Sequence, residues 1–213
     1  MSDNPTRRAA LGALCAAPLA LEARLAEAAP RAPVVTILGD SITAGYGLPA
    51  PDALPQQLQR ELRTLGVNAS VRGAGVTGST TAGGLQRVDQ VRSDTDVAVV
   101  ALGGNDLLSF FPPAQTRANL EQIVRRLKGK GARVVLAGLQ APIELGAYAR
   151  SFNAVFPQVA RAQGVTLYPS LLAGVLLDSR YNQPDLVHPN AAGVRIIARR
   201  LAPVVAGALR GRR

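Results

Sequence analysis

VVTILGDSITAGYG, residues 34–47, runs from five apolar or β-branched residues into a Gly-Asp-Ser turn. Val34 to Leu38 is the pattern of a short buried strand. Ser41 then stands where a strand passes to a helix, which exposes its hydroxyl and sets its backbone N–H at the positive end of the helix. That placement suits a nucleophile whose attack creates an oxyanion, and it equally suits an ordinary N-cap. The turn is not the GxSxG elbow, because Gly39 lies two residues before the serine and no glycine follows at the matching distance.

Outward from this segment, strand-length apolar runs alternate with segments of helical period. Leu54, Leu58, Leu62 and Leu65 mark one helix face; Ala69 to Gly73 is a weaker strand, followed by a Gly/Thr-rich loop and a helix near Leu85 to Val91. Val97 to Leu102 is the clearest strand. Leu120, Ile123, Val124 and Leu127 give another helical stripe, Val134 to Leu139 a fourth strand, and Tyr148, Phe152, Val155, Phe156 and Val159 a further helix. Thr166 to Tyr168 is a fifth strand, and Asn190 caps a last helix carried by Val194, Ile197, Leu201 and Val205. Such alternation predicts an α/β fold of three layers, a five-stranded parallel sheet between helices. Ligands of such sheets bind beyond the carboxyl ends of the strands, so the loops after each strand are where chemistry is sought.

The 213 residues fit one domain plus a short extra segment. At 47% hydrophobic and 18% charged the composition is globular. The net charge of +10, almost all from arginine, fits an acidic partner, a membrane surface or a solvated basic face such as the one formed by Arg199, Arg200, Arg210, Arg212 and Arg213. Aromatics at 4% without tryptophan leave little for stacking on nucleic-acid bases, and no DNA-docking motif is present, so no nucleic-acid partner is expected. One Cys and one His exclude an internal disulfide and leave almost nothing for a zinc site.

The first 32 residues differ from the rest. Arg7 and Arg8 precede thirteen uncharged residues, Ala9 to Leu21, and small residues follow around Ala26 and Ala28. Thirteen is too short to span a bilayer, so stable membrane insertion is not expected. A charged start, a short apolar stretch and an AxA pattern describe an export signal, and the paired arginines suggest the twin-arginine variety. Cys15 falls within that discarded segment, residues 33–213 form the domain proper, and a periplasmic or secreted location follows. The other reading is an amphipathic helix packed on the domain.

Further polar residues follow the later strands. GAGVTGSTTAGG (73–84) and GGND (103–106) are glycine-rich without matching GxGxxG or a P-loop; they fit tight turns or an anion cradle. The Asn105 amide, directly after a buried strand, can aim N–H groups at charge developing over the sheet edge. DLVHP (185–189) sets an acid three residues before the sole histidine, where Asp185 can fix the His188 tautomer and stabilise its imidazolium.

GDSITAGYG, GVTGSTTAGGLQR, GGND and DLVHPN together resemble the four signature blocks of the SGNH hydrolases, the GDSL esterase/lipase superfamily, and most of all its bacterial arylesterase, thioesterase I and lysophospholipase L1 branch. The resemblance runs from about Val34 to Leu209. It implies a flavodoxin-like sheet and a serine hydrolase that cleaves carboxylic esters or thioesters and needs no metal or organic cofactor. Ser41 would be the nucleophile, His188 the base and Asp185 its orienting acid. The oxyanion hole would be the Ser41 and Gly78 N–H groups with the Asn105 side chain. Ser79 stands where an acid often follows the block-two glycine, and Gly73 where Asn is common; neither supplies a catalytic atom. The rival readings are a carbohydrate O-acetylesterase of the same superfamily and, from another class, a flavodoxin-like phosphate or nucleotide binder.

Leu107, Leu108 and Phe110, in the apolar segment after GGND, are read as a wall of the acyl pocket, with Gln140 to Tyr148 as the alternative wall. The opposing reading folds that segment onto the core, with Pro112 and Pro113 starting the next helix. The expected partner is a small acyl ester or thioester, and a monomer is favoured.

Overall fold

Val34–Gly39 (β1) and Val97–Ala101 (β3) carry no charged side chain and are buried along their whole length, as strands must be when helices cover both faces of a sheet. In the computed structural model, which describes residues 31–211, the two pair in parallel with Gly39 opposite Ala101. Ser70–Gly75 (β2) flanks β1 on the outer side, and Arg133–Ala137 (β4) and Thr166–Tyr168 (β5) extend the sheet beyond β3. The order β2-β1-β3-β4-β5, all parallel, is that of the flavodoxin-like sheets.

Leu54–Thr64 (α2) and Ala191–Arg210 (α7) pack together on one face. Thr81–Gln86 (α3), Pro113–Gly129 (α5) and Gly146–Gln163 (α6) form the other layer, and short helices Ser41–Ala44 (α1) and Gly104–Leu108 (α4) start directly after β1 and β3. Asn190 caps α7, accepting from the Ala192 and Gly193 N–H groups. Among the described residues no helix is long and apolar enough to cross a membrane. Residues 1–30 of the proposed export segment, Cys15 included, lie outside the described residues.

Several expectations shift, the third and fourth strands ending one and two residues early, at Ala101 and Ala137. The second strand is Ser70–Gly75 rather than 69–73: the Ser70 N–H pairs with the Pro33 carbonyl, and the ladder runs on until Gly75 faces Gly39. The helix expected near 85–91 begins instead at Thr81, where the Thr80 side chain caps the Gly83 N–H. It breaks at Arg87, and only a single 3₁₀ turn, Val88–Gln90, follows. Leu65 leaves the buried stripe of α2, because it is the C-cap and points to solvent.

One buried polar group joins three of these helices. The Asp106 carboxylate, 1% exposed, accepts the Thr81 N–H at 2.8 Å, the Thr116 hydroxyl at 3.2 Å and also the Thr81 hydroxyl. Asn119 in turn donates to the Thr81 hydroxyl at 3.1 Å. A buried donor that loses its acceptor forfeits the hydration it gave up on folding. Asp106→Ala should therefore lower the unfolding free energy by about 2–4 kcal/mol in urea titrations; a loss below about 1 kcal/mol would show that the helices hold without it.

Candidate active site

The turn after β1 has no room for a side chain at its first residue. A Cβ on Gly39 would sit 2.0 Å from the Thr43 hydroxyl oxygen, so the chain can bend into α1 only with glycine there. Asp40, not Ser41, is the N-cap, accepting the Ile42 N–H at 3.1 Å. The capping role considered for Ser41 therefore falls to Asp40: Ser41 occupies the first helical position, and its hydroxyl is not spent on capping. Burial raises the Asp40 carboxyl to about 6, while its bond to the Ile42 N–H and the charges of His188 and Arg87 draw it back down.

Ser41 Oγ lies 2.9 Å from His188 Nε2, and Asp185 Oδ2 lies 2.6 Å from His188 Nδ1. The serine can thus donate to the imidazole, which donates to the carboxylate. Residues 185–188 form a small nest, with Asp185 Oδ1 also accepting the Val187 and His188 N–H groups at 3.0 and 2.9 Å. These bonds, the backbone N–H of His188 first, hold the Asp185 carboxyl down at about 2, so it stays ionised throughout the neutral range. The Tyr46 ring packs on the imidazole at 4.5 Å, and Gln183 ties the loop down by donating its side-chain N–H to the Tyr46 carbonyl and its backbone N–H to that of His188.

Gly78 occupies the third position of the turn closed by the Ser79 N–H and the Val76 carbonyl, at φ 75°, a conformation that favours glycine. Asn105, the second residue of α4, donates one amide N–H to the Ser79 carbonyl at 3.0 Å, which fixes the amide against the Gly78 turn and leaves its second N–H for a ligand. Beneath them Arg87 donates to the Ala74 carbonyl at 2.6 Å, the Gly39 carbonyl, and the Ser79 hydroxyl at 3.0 Å. Burial lowers the Arg87 pKa from its ordinary value, partly offset by Asp40. Sequence reasoning missed Arg87, Asp40 as a cap and Tyr46. The one available signal for Arg87 was its place at the end of the second block.

A cavity of about 480 Å³ opens beside this array. Its lining includes Ser41, Asn105 and His188 together with Leu107, Leu108 and Phe110, whereas Gly78 lies outside the lining. Both proposed walls contribute, since Gln140, Pro142 and Leu145 also face it. A third wall, Ser170 to Leu177, was not anticipated; its uncharged run LLAGVLL directly after β5 was the signal that could have found it. The opposing reading of the segment after GGND holds for its end, as Pro113 starts α5. A larger groove, about 700 Å³ between α5 and α6, is open to solvent and offers no nucleophile beside a histidine. Among the described residues no group of three His, Cys, Asp or Glu side chains could hold a metal ion.

A serine, an imidazole and a carboxylate in line at the switch point of a flavodoxin-like sheet, beside an apolar cavity, make the arrangement of an ester hydrolase. Known proteins agree: the GDSL-like Lipase/Acylhydrolase family matches residues 37–196. "Arylesterase" of Vibrio mimicus is 33% identical over 72% of this chain and 78% of its own length. "Thioesterase 1/protease 1/lysophospholipase L1" of Escherichia coli K12 is 33% identical over 83% and 87%. The crystal structure of TesA superposes with a TM-score of 0.78 at 32% identity, covering 83% of this chain and 99% of that one. The chain belongs to the GDSL-like lipase/acylhydrolase family, the SGNH hydrolases.

The raised Asp40 carboxyl makes stability depend on pH with a definite sign. The folded state binds that proton more tightly than the unfolded chain does, so Asp40 contributes stability below about pH 4 that is lost as pH rises through about 6. Asn retains the cap without the charge. Relative to Asp40→Asn, the native chain should lose about 2–3 kcal/mol between pH 4 and pH 7 in denaturant titrations; parallel profiles would contradict the burial argument.

Proposed function

We propose that this enzyme hydrolyses carboxylic esters or thioesters of apolar acyl groups through an acyl-enzyme on Ser41. The observation that carries the reading is the 2.9 Å contact of Ser41 Oγ with His188 Nε2 at the mouth of an apolar cavity. In the first half-reaction the serine oxygen attacks the acyl carbonyl while its proton passes to Nε2. The oxyanion is held by the Asn105 amide and the Ser41 and Gly78 N–H groups. His188 then protonates the leaving alkoxide or thiolate as the carbon–oxygen or carbon–sulfur bond breaks. Water repeats the cycle, giving its proton to His188 and releasing the acid and Ser41. Asp185 stays ionised and stabilises the imidazolium.

Leu107, Leu108 and Phe110 are proposed to line the acyl site with the walls after β4 and β5. Aryl esters, acyl thioesters and lysophospholipids fit this description. An acetyl group on a sugar would leave most of such a cavity empty, so the O-acetylesterase reading is not favoured. The catalytic domain is proposed to be residues 33–213, preceded by an export signal of the twin-arginine type that delivers it to the periplasm or beyond.

A panel of aryl esters from acetyl to palmitoyl, with acyl-CoA, lysophospholipid and acetylated sugar, tests the acyl reading. Each methylene buried contributes up to about 0.8 kcal/mol, so kcat/KM should climb with chain length until the cavity is filled. Leu108→Ala and Phe110→Ala should flatten that climb while acetyl-ester turnover persists; an unchanged profile with lost stability would make them core residues instead. Asn105→Ala should lower kcat by ~10²- to 10³-fold with little change in KM, and a raised KM at constant kcat would make it a substrate-positioning group. For the export reading, mass spectrometry of the periplasmic fraction should find the enzyme without its first residues, and Arg7→Lys with Arg8→Lys should stop its delivery. An intact N-terminus on cytoplasmic enzyme would contradict that reading.

A further inference from the structure

Nine large apolar side chains are exposed among the described residues, and eight of them lie at one edge of the molecule. Each loop beyond the carboxyl end of a strand supplies at least one: Tyr46 after β1, Val76 after β2, Phe110 after β3, Ile143 after β4 and Leu177 after β5. Only Leu65, at the far end of α2, lies elsewhere. Since all five strands are parallel, these loops share the edge that holds the cavity, and Leu108, Phe110 and Leu177 of this rim line the cavity itself.

The backbone adds an independent sign. Among the described residues, the non-glycine residues in the left-handed region are Phe110 at φ 52°, Leu177 at φ 63° and Leu186 at φ 60°. Glycine or asparagine would adopt that conformation at lower cost. All three are exposed apolar residues of the same rim, so strained backbone is retained there to present bulky side chains to solvent.

The charges around the rim indicate what it meets. Helices that follow parallel strands begin at this edge, and Arg150 and Arg195, in the second turns of α6 and α7, form no ion pair among the described residues. Asp178 is neutralised by Arg180 at 2.6 Å, and the rim's other acids are Glu144 beside Ile143, without an ion pair, and the ionised Asp185 beside Leu186, which is bound to His188. The chain as a whole carries +10. Scattered apolar tips rising from separate loops, with unpaired arginines behind them, suit insertion into a headgroup layer better than the flat continuous face a protein partner needs.

We propose that this rim docks the enzyme on an anionic phospholipid bilayer, from which an acyl chain passes directly into the cavity. The inference rests on reading the cavity as the acyl site. Docking would shield the chain from water along its path from the bilayer to the cavity.

Ile143, 83% exposed and outside the cavity lining, isolates the rim from the chemistry. Partition of the full chain, carrying Ser41→Ala so that no lipid is consumed, is measured by flotation with vesicles of 3:1 phosphatidylcholine and phosphatidylglycerol. Ile143→Ser should weaken partition by about tenfold and Ile143→Asp by more, Leu65→Ser should change it less than about twofold, and vesicles of phosphatidylcholine alone should bind several-fold less. With Ser41 restored, the Ile143 and Leu65 variants should hydrolyse p-nitrophenyl acetate at the native rate, which also shows that they fold. Equal partition of native and Ile143 variants would overturn the proposal. Self-association in sedimentation that Ile143→Asp abolishes, without vesicle binding, would overturn it in favour of a second copy. Absence of aryl-ester hydrolysis by the native chain would instead sink the proposed function and leave the partition result to be read by itself.

Discussion

Strands β1 and β3 lie side by side, yet the chain leaves their carboxyl ends in opposite directions, toward β2 on one side and β4 on the other. No connection covers the gap between them. Into it project the two shortest helices, α1 with Ser41 at its start and α4 with Asn105. Every other functional group reaches this gap by being fastened to it. Arg87 ties the carbonyl ends of β1 and β2 to the turn carrying Gly78, Asn105 holds that turn from the other side, and Asp106 joins α4 to α3 and α5. Gln183 and Tyr46 bring in the histidine loop from the far end of the chain.

The electrostatics follow from the same crowding. Two carboxylates lie near one imidazole, and their surroundings push them in opposite directions. Asp185, at the surface and holding three hydrogen bonds, is kept near 2, whereas Asp40, buried beneath α1, is lifted to about 6. The first is suited to face an imidazolium. The second acts as a cap whose charge is a cost to the fold, tolerated because Arg87 and His188 stand close by.

Much of this was legible in the sequence because it depends on local patterns. The uncharged runs of β1 and β3 are long enough to stand apart from any amphipathic helix, and the Gly-Asp-Ser and GGND blocks follow directly on them. Arg87 was not legible, since one arginine among 22 carries no mark of burial, and its three acceptors come from residues 8 to 48 positions away. The end of α3 was misplaced for the same reason: Arg87 turns inward where helical periodicity would continue. The wall at Ser170 to Leu177 reads as core in composition and becomes cavity lining only because the sheet ends at β5. Nor does any sequence rule place Phe110, Leu177 and Leu186 in left-handed backbone, where glycine is the usual signal.

The central claim is that an acyl group passes through Ser41. Mixing the enzyme with a p-nitrophenyl ester, quenching in acid within milliseconds and mapping peptides by mass spectrometry reads it directly. The account predicts one acyl group per chain, on the peptide containing Ser41, and none when His188 is replaced by alanine. Acylation of another residue, such as Ser79 on the facing turn, or an unmodified Ser41 peptide during steady turnover, would contradict it.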